Sequence, residues 1–311
     1  MTITQLEYII AVDTYRSFAK AAVSCYVTQP TLSMQIKKIE EELGVLIFDR
    51  SKKPVLTTEI GQQIIEQARS TIQEASRIRE IIQNQKDEIK GELRIGIIPT
   101  LSPYLLPLFI TQFIHKYPDV NLVVEELVSK EIIEKLSSDL LDVGILVTPL
   151  NMKSIVELPM FYETFVLYMS SNHPLSTRDK VDFHDLDINE MWLLQEGHCF
   201  RSQAINICGE GTSEANQLRF ESGSLETLRR IVDKQYGYTL LPELATLDLE
   251  KHRMNHVRYF KNPQPVREVS LIIHRSFMKR KLIELLREEI LASVPPSLLA
   301  KDRGKLIEWV E

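Results

Sequence analysis

An apolar stripe that begins after Thr58 constrains this chain more than any other feature. Ile60, Ile64, Ala68, Ile72, Ala75, Ile78 and Ile82 recur every three or four residues, and neither proline nor glycine interrupts the run after Gly61. The spacing predicts a helix from Thr58 to about Lys86, roughly 28 residues and about 42 Å long. A helix of that length cannot bury its stripe alone. It must pair with a second copy of itself or lie along its own domain. It also divides the chain into a short region patterned as helices and a long one patterned as alternating strands and helices.

At 311 residues there is room for two or three cores. No apolar run approaches the roughly 18 residues that span a bilayer. The start, MTITQLEYII, lacks the basic region and cleavage site of a secretory leader, so the expected address is the cytoplasm, with no membrane partner. Residues 1–90 carry 12 Lys+Arg and 12 Asp+Glu, and the remainder carries 25 and 31. That balance neither supports nor excludes nucleic acid, because phosphate binding depends on local clusters. Three cysteines do not make a disulfide scaffold, and in a reducing compartment a pair that oxidises is redox-active.

In residues 1–58, Leu6, Ile9 and Ile10 begin an amphipathic segment. Ser17 can cap a second helix carrying Phe18, Ala21, Ala22 and Cys25, the last read as core packing. Thr28 is a good cap for a third helix, with Pro30 in its first turn, Leu32, Ile36, Ile39 and Leu43 as its apolar face, and Gly44 as its end. The opposite face carries Thr31, Ser33, Gln35 and Lys38, groups suited to base edges and phosphates. Two β-like runs, Val45 to Phe48 and Pro54 to Thr57, flank the tip Asp49-Arg50-Ser51-Lys52-Lys53, which reads as a basic wing. On spacing alone, a three-helix packing module with a solvated polar face fits equally well.

The run Phe18, Ala21-Ala22, Thr28-Gln29-Pro30-Thr31-Leu32-Ser33, Gln35-Ile36, Leu43-Gly44, Phe48-Asp49-Arg50 resembles the DNA-binding domain of LysR-type transcriptional regulators. The resemblance implies a winged helix-turn-helix over residues 1–58 that holds double-stranded operator DNA through Thr28, Gln29, Pro30, Thr31, Ser33, Gln35, Lys38, Arg50, Lys52 and Lys53. It further implies a linker and dimerisation helix over residues 59–90, a homodimer or homotetramer, and RNA polymerase as a partner.

After the polar hinge, Leu93 to Ile98, Leu122 to Leu127 and Val143 to Val147 read as strands separated by helices at Pro103 to Tyr117 and Lys130 to Leu141. This βαβαβ unit predicts a mostly parallel sheet with a crevice at the strands' carboxyl ends. Further strands are expected at Phe165 to Ser170, Trp192 to Leu194, Gln217 to Glu221, Tyr238 to Leu241 and Val269 to His274. Helices are expected at Leu225 to Lys234 and Phe277 to Leu291. The fold class is α/β. The resemblance implies a two-lobed, periplasmic-binding-protein-like effector domain over residues 91–311, lobe I being about 91–162 plus 269–311 and lobe II about 163–268. The residues beyond Pro296 add nothing.

Cysteine chemistry narrows the reading. A thiolate becomes reactive beside cations or at a helix N-terminus, and His198 and Arg201 flank Cys199. Cys208, nine residues on, rules out the close spacing of zinc or thioredoxin motifs, and two buried cysteines that never meet remain an open alternative. Leu194, Gly197-His198-Cys199, Arg201 and Gln203, with Cys208 and Ser224-Leu225-Glu226-Thr227-Leu228-Arg229, resemble the peroxide-sensing members of the LysR family. The resemblance implies that hydrogen peroxide oxidises Cys199 to a sulfenic acid and that Cys208 resolves it to a disulfide. It places Thr100, Ser129 (where these relatives usually carry threonine) and Arg267 around the peroxide and the thiolate, beside His198 and Arg201. It also implies a glutaredoxin- or thioredoxin-type reductant, no cofactor, no metal and no enzymatic turnover. Nine helical residues span about 13.5 Å, whereas bridged Cα atoms lie roughly 4.4–6.8 Å apart, so such a disulfide must rebuild any regular segment between the two. The loop from Gly209 to Asn216 departs from the pattern of these relatives. Two other functions compete: a regulator answering a small metabolite between the lobes, and a thiol peroxidase tethered to DNA.

Overall fold

The computed structural model describes residues 1–84, 89–208, 222–234, 237–275 and 280–308. They divide into a first compact unit within Met1–Glu88 and a second from Ile89 onward. The first packs α1 (Ile3–Tyr15), α2 (Phe18–Ser24) and α3 (Gln29–Leu43) around Leu6, Ile9, Val12, Ala21, Ala22, Leu32, Ile36 and Ile39. Each start is capped locally: the Thr2, Ser17 and Thr28 side chains accept from the backbone amides of Gln5, Lys20 and Thr31. Gly44, at φ 69°, closes α3 in the left-handed region that suits glycine. Cys25 caps the end of α2, partly buried against this core.

Two expectations change here. Leu43 is 41% exposed, while Glu40 turns inward to 5%. The reason is the turn after Gly44, whose amides at Ile47 and Phe48 donate to Glu40 Oε1 at 2.9 and 3.2 Å. The wing is also shorter than the two runs suggest, with β1 (Phe48–Asp49) and β2 (Leu56–Thr57) sharing two antiparallel pairs.

The helix α4 (Glu59–Asn84) realises the long stripe, and the residues expected to finish it lie outside those described. Its first half belongs to the first unit: Ile65 and Ala68 are buried in the shared core with Ile64 and Ile72 against it, while Ile60 is exposed. Gly61 permits the approach, because a Cβ there would meet the Ile47 carbonyl oxygen at 2.2 Å.

The second unit begins as the expected βαβαβ: β3 (Gly91–Ile97), α5 (Ser102–Lys116), β4 (Val120–Glu126), α6 (Ser129–Ser137) and β5 (Val143–Thr148), with β3 parallel to both neighbours. There follow β6 (Ile155–Met169), β7 (Lys180–Val181), α7 (Cys199–Cys208), α8 (Leu225–Val232), β8 (Tyr238–Pro242), β9 (Val257–Phe260), β10 (Pro265–His274), α9 (Arg280–Ser293) and β11 (Lys305–Leu306). The strand order is β4-β3-β5-β10-β6-β9-β7, with β8 beside β6 and β11 beside β10.

The sheet is therefore mixed rather than mostly parallel. Strand β10 runs antiparallel to both β5 and β6, and β6 pairs with β10 along its first part and with β8 and β9 along its second. The strands expected at Phe165 and Val269 are the ends of β6 and β10. Pro159, Glu157 and Glu163 mask the start of β6 in the sequence. Trp192 to Leu194 is flanked by single bridges, Met191 to Tyr238 and Leu194 to Ser222, and is not a strand. The strand expected at Gln217 to Glu221, the loop Gly209 to Asn216 and the start of the last helix at Phe277 lie outside the described residues.

Candidate functional site

On the first unit, α3 presents Gln29, Pro30 and Lys38 to solvent, and the wing presents Lys52 and Lys53. Several expected contacts are already engaged. Thr28 and Thr31 share a hydroxyl hydrogen bond of 2.8 Å, and Gln35 Oε1 accepts from Gln5 at 3.0 Å. Arg50 is drawn inward: it pairs with Glu40 at 2.7 Å, donates to Ser33 Oγ at 3.2 Å, and lies 4.9 Å from the Phe18 ring centroid. Its charge fastens the wing to α3 instead of standing free at the tip. Glu40 was missed as the partner, although an acid four residues before a helix-ending glycine, with an arginine in the next loop, is a readable signal. Met34, 62% exposed at helical spacing from Thr31 and Lys38, adds an apolar group to the same face, as a thymine methyl requires.

The second site is built by register. Glu163 and Arg267 are direct partners across β6 and β10. Both are fully buried, and Arg267 Nη2 and Nε approach Glu163 Oε1 at 2.7 and 2.9 Å. The other Glu163 oxygen accepts the Leu244 amide at 3.1 Å. The rest of the guanidinium donates to Thr100, Nη1 to its hydroxyl and Nη2 to its carbonyl, both at 3.1 Å. The Phe200 ring lies 5.2 Å from the guanidinium carbon. A buried ion pair of this kind gains little net stability, but losing either partner strands a charge.

Cys199 is the first residue of α7 and is buried beside this cluster. Burial pushes its thiol up. The Arg267 charge, the Ser129 hydroxyl and the amides of Phe200 and Cys199 itself pull it back without reversing the shift. The Ser129 hydroxyl is buried and has no hydrogen bond of ordinary length, so it is an uncommitted donor facing the sulfur. Thr100 in the turn after β3, Ser129 at the start of α6, Cys199 at the start of α7 and Arg267 on β10 thus form one buried cluster, Arg267 bonding to Thr100 while Arg267 and Ser129 both act on the sulfur.

His198 and Arg201 act differently from their places in sequence. Burial holds the His198 imidazole below its usual range, with Glu126 partly opposing, so it is a neutral neighbour and not a cation. Arg201 Nη1 donates to the Leu194 carbonyl at 2.7 Å, a local tie. Cys208 ends α7 with its sulfur 3.9 Å from Met191 Sδ, and burial pushes its thiol up to about 12. The two cysteines stand at opposite ends of one ten-residue helix, so their Cα atoms are about 13.5 Å apart. Glu163, Phe200 and Met191 escaped the sequence reading. The first left a trace, a lone acid within the apolar run FVLYM and its approach.

No helix of the described residues is long and apolar enough to cross a membrane. Residues 3–62 match the bacterial regulatory helix-turn-helix protein family, lysR type, and residues 86–295 match the LysR substrate binding domain. The chain is 37% identical to the hydrogen peroxide-inducible genes activator of Haemophilus influenzae over 88% of this chain and 90% of that one. It is 36% identical to the DNA-binding transcriptional dual regulator OxyR of Escherichia coli K12, over 94% and 95%. Among solved structures, a cysteine-to-aspartate variant of full-length OxyR from Pseudomonas aeruginosa superposes with a TM-score of 0.79 at 36% identity, over 94% of this chain and 99% of that one. A peroxide-bound OxyR mutant from Corynebacterium glutamicum gives 0.60 at 25% identity, over 94% and 92%. The chain belongs to the LysR family of bacterial transcription regulators and, within it, to the group of the hydrogen peroxide-inducible genes activators.

Proposed function

We propose that this chain senses hydrogen peroxide through Cys199 and converts the oxidation into altered transcription from DNA bound by its first unit. The observation that carries the reading is the placement of Cys199 at the start of α7, buried among Arg267, Thr100 and Ser129, with Cys208 at the far end of the same helix. The relatives named as peroxide-inducible activators support it.

A peroxide reaching Cys199 meets the Ser129 hydroxyl and the Arg267 and Thr100 pair, donors that favour the thiolate and the departing oxygen. The Cys199 thiolate attacks one peroxide oxygen. An S–O bond forms, the O–O bond breaks, and the leaving hydroxide takes a proton to become water. Sulfur is thereby oxidised by two electrons to a sulfenic acid. Cys208, released from its burial, loses its proton and attacks that sulfur as a thiolate; an S–S bond forms, the S–O bond breaks, and the departing hydroxide takes up a proton to leave as a second water. While α7 is intact, Cys208 is held protonated and distant, so resolution requires the helix to unwind.

One such cycle per molecule, reset by a glutaredoxin- or thioredoxin-type reductant, makes a switch and not an enzyme. The long apolar stripe of α4 suits self-pairing, consistent with a homodimer or homotetramer that works with RNA polymerase in the cytoplasm. Thr28, Gln29, Pro30, Thr31, Ser33, Gln35, Lys38, Lys52 and Lys53 form the DNA face, with Arg50 setting the wing. A thiol map by mass spectrometry before and after one equivalent of peroxide tests the reading. The expected product is a Cys199–Cys208 disulfide with Cys25 free. Absence of selective oxidation overturns it in favour of a metabolite-responsive regulator, which a ligand-induced thermal shift in a cysteine-free variant would then reveal.

A further inference from the structure

Helix α7 is held partly from outside itself. Gln203 is fully buried and donates through Nε2 to the Ile307 carbonyl at 2.7 Å, and Asn206 donates through Nδ2 to the Glu308 carbonyl at 3.0 Å. Both side chains lie between the two cysteines, one turn apart on one face. The acceptors sit on a segment with its own anchors: β11 runs parallel to β10, the Ile307 amide donates to the Val266 carbonyl at 2.8 Å, and Arg303 grips Glu243 at 2.6 and 2.9 Å. None of those anchors involves α7. The segment 303–308 is therefore a fixed rail against which the helix rests.

We infer that residues 307 and 308 are positioning residues for the redox couple, stabilising the helical dithiol form and so setting how readily the Cys199–Cys208 disulfide persists. The inference rests on the proposed disulfide. Bringing the Cα atoms from about 13.5 Å to roughly 4.4–6.8 Å displaces the intervening residues, so Gln203 and Asn206 cannot both keep their carbonyl partners. The contacts then belong to the dithiol form alone. Removing them weakens that form and leaves the disulfide untouched, which lowers the reduction potential.

The test is the potential of the full chain equilibrated with reduced and oxidised glutathione, with thiols counted by mass spectrometry. A chain ending at Leu306 loses both acceptors, and a chain ending at Glu308 keeps them. With each net hydrogen bond contributing modestly, the first should shift the thiol–disulfide equilibrium about tenfold toward disulfide, about 30 mV for two electrons, and the second should match the full chain. The chain ending at Leu306 should also lose thermal stability when reduced and not when oxidised. A potential equal to that of the full chain, or equal destabilisation of both redox forms, overturns the inference. If that chain fails to fold, Asn206→Asp decides: a carboxylate facing the Glu308 carbonyl should shift the equilibrium the same way, and an unchanged potential overturns the inference. A full-length protein that forms no Cys199–Cys208 disulfide at all removes both this inference and the functional reading beneath it.

Discussion

Helices α3 and α7 carry the two candidate functions and are stabilised in opposite ways. In α3 the determinants are local: the Thr28 cap, Pro30 in the first turn, Leu32, Ile36 and Ile39 on one buried face, and Gly44 at the end. In α7, ten residues begin and end in cysteine, and the side chains of Gln203 and Asn206 bond to residues more than a hundred positions away. A helix of ten residues is marginal by itself. The contrast separates a surface that must keep its shape from an element that must be able to lose it. A switch needs a segment whose alternative structure lies only a few bonds away.

The largest effect that tests this contrast is all-or-none. Cys199→Ser should abolish disulfide formation and the peroxide response while operator binding, measured by a mobility shift, is retained. An unchanged peroxide response would break the link between α7 and sensing. Next is Arg267→Met, which leaves Glu163 charged in a sealed core. Loss of one partner of a buried pair costs roughly 3–5 kcal/mol, readable as a lower denaturant midpoint of the second unit. The Cys199 thiol should titrate higher still, because Arg267 is the strongest group pulling it down. A variant with wild-type stability would show that the pair is not the keystone of the buried cluster.

The same contrast explains what could be read from the sequence. α1 to α3 and the βαβαβ unit were legible because their periodicity, caps and ending glycines are local, as at Thr28 and Gly44. The mixed order of the sheet was not, because only pairing reveals that β10 runs antiparallel between β5 and β6, and Pro159 breaks the apparent strand. Cys199, Thr100 and Arg267 were named from a motif, yet Glu163, which holds Arg267 in place, is visible only through register. His198 and Arg201 misled because nearness in sequence is not nearness in field: one is neutral by burial and the other faces a carbonyl. The bonds from residues 307 and 308 to α7 have no signature within α7.

A smaller effect belongs to α3. Thr28→Ala removes its capping oxygen and should cost about 1 kcal/mol, a modest fall in the melting temperature of the first unit. Sensing should be unaffected, since the oxidation chemistry lies in the other unit. A loss of peroxide response in this variant would show that the two helices are less separate than their construction implies.

The smallest effect concerns pH and falls on α7 alone, because α3 contains no histidine. Burial keeps the imidazole of His198, the residue just before α7, below its ordinary value of 6.5. In the unfolded chain that histidine takes up a proton as pH falls through about 6.5, while the folded chain resists until its lower value is reached. The folded form of this region is thus fully favoured above about pH 7, and loses stability as pH falls through 6.5 and then through the folded value. Amide exchange at pH 7.5 and 5.5, corrected for intrinsic rates, should show α7 losing protection relative to α3 in the wild type. His198→Asn, which cannot protonate, should show no such loss. Equal loss in both proteins would mean that burial of His198 is unconnected to α7, and that the helix depends on its remote carbonyl contacts and its own packing without help from the residue that precedes it.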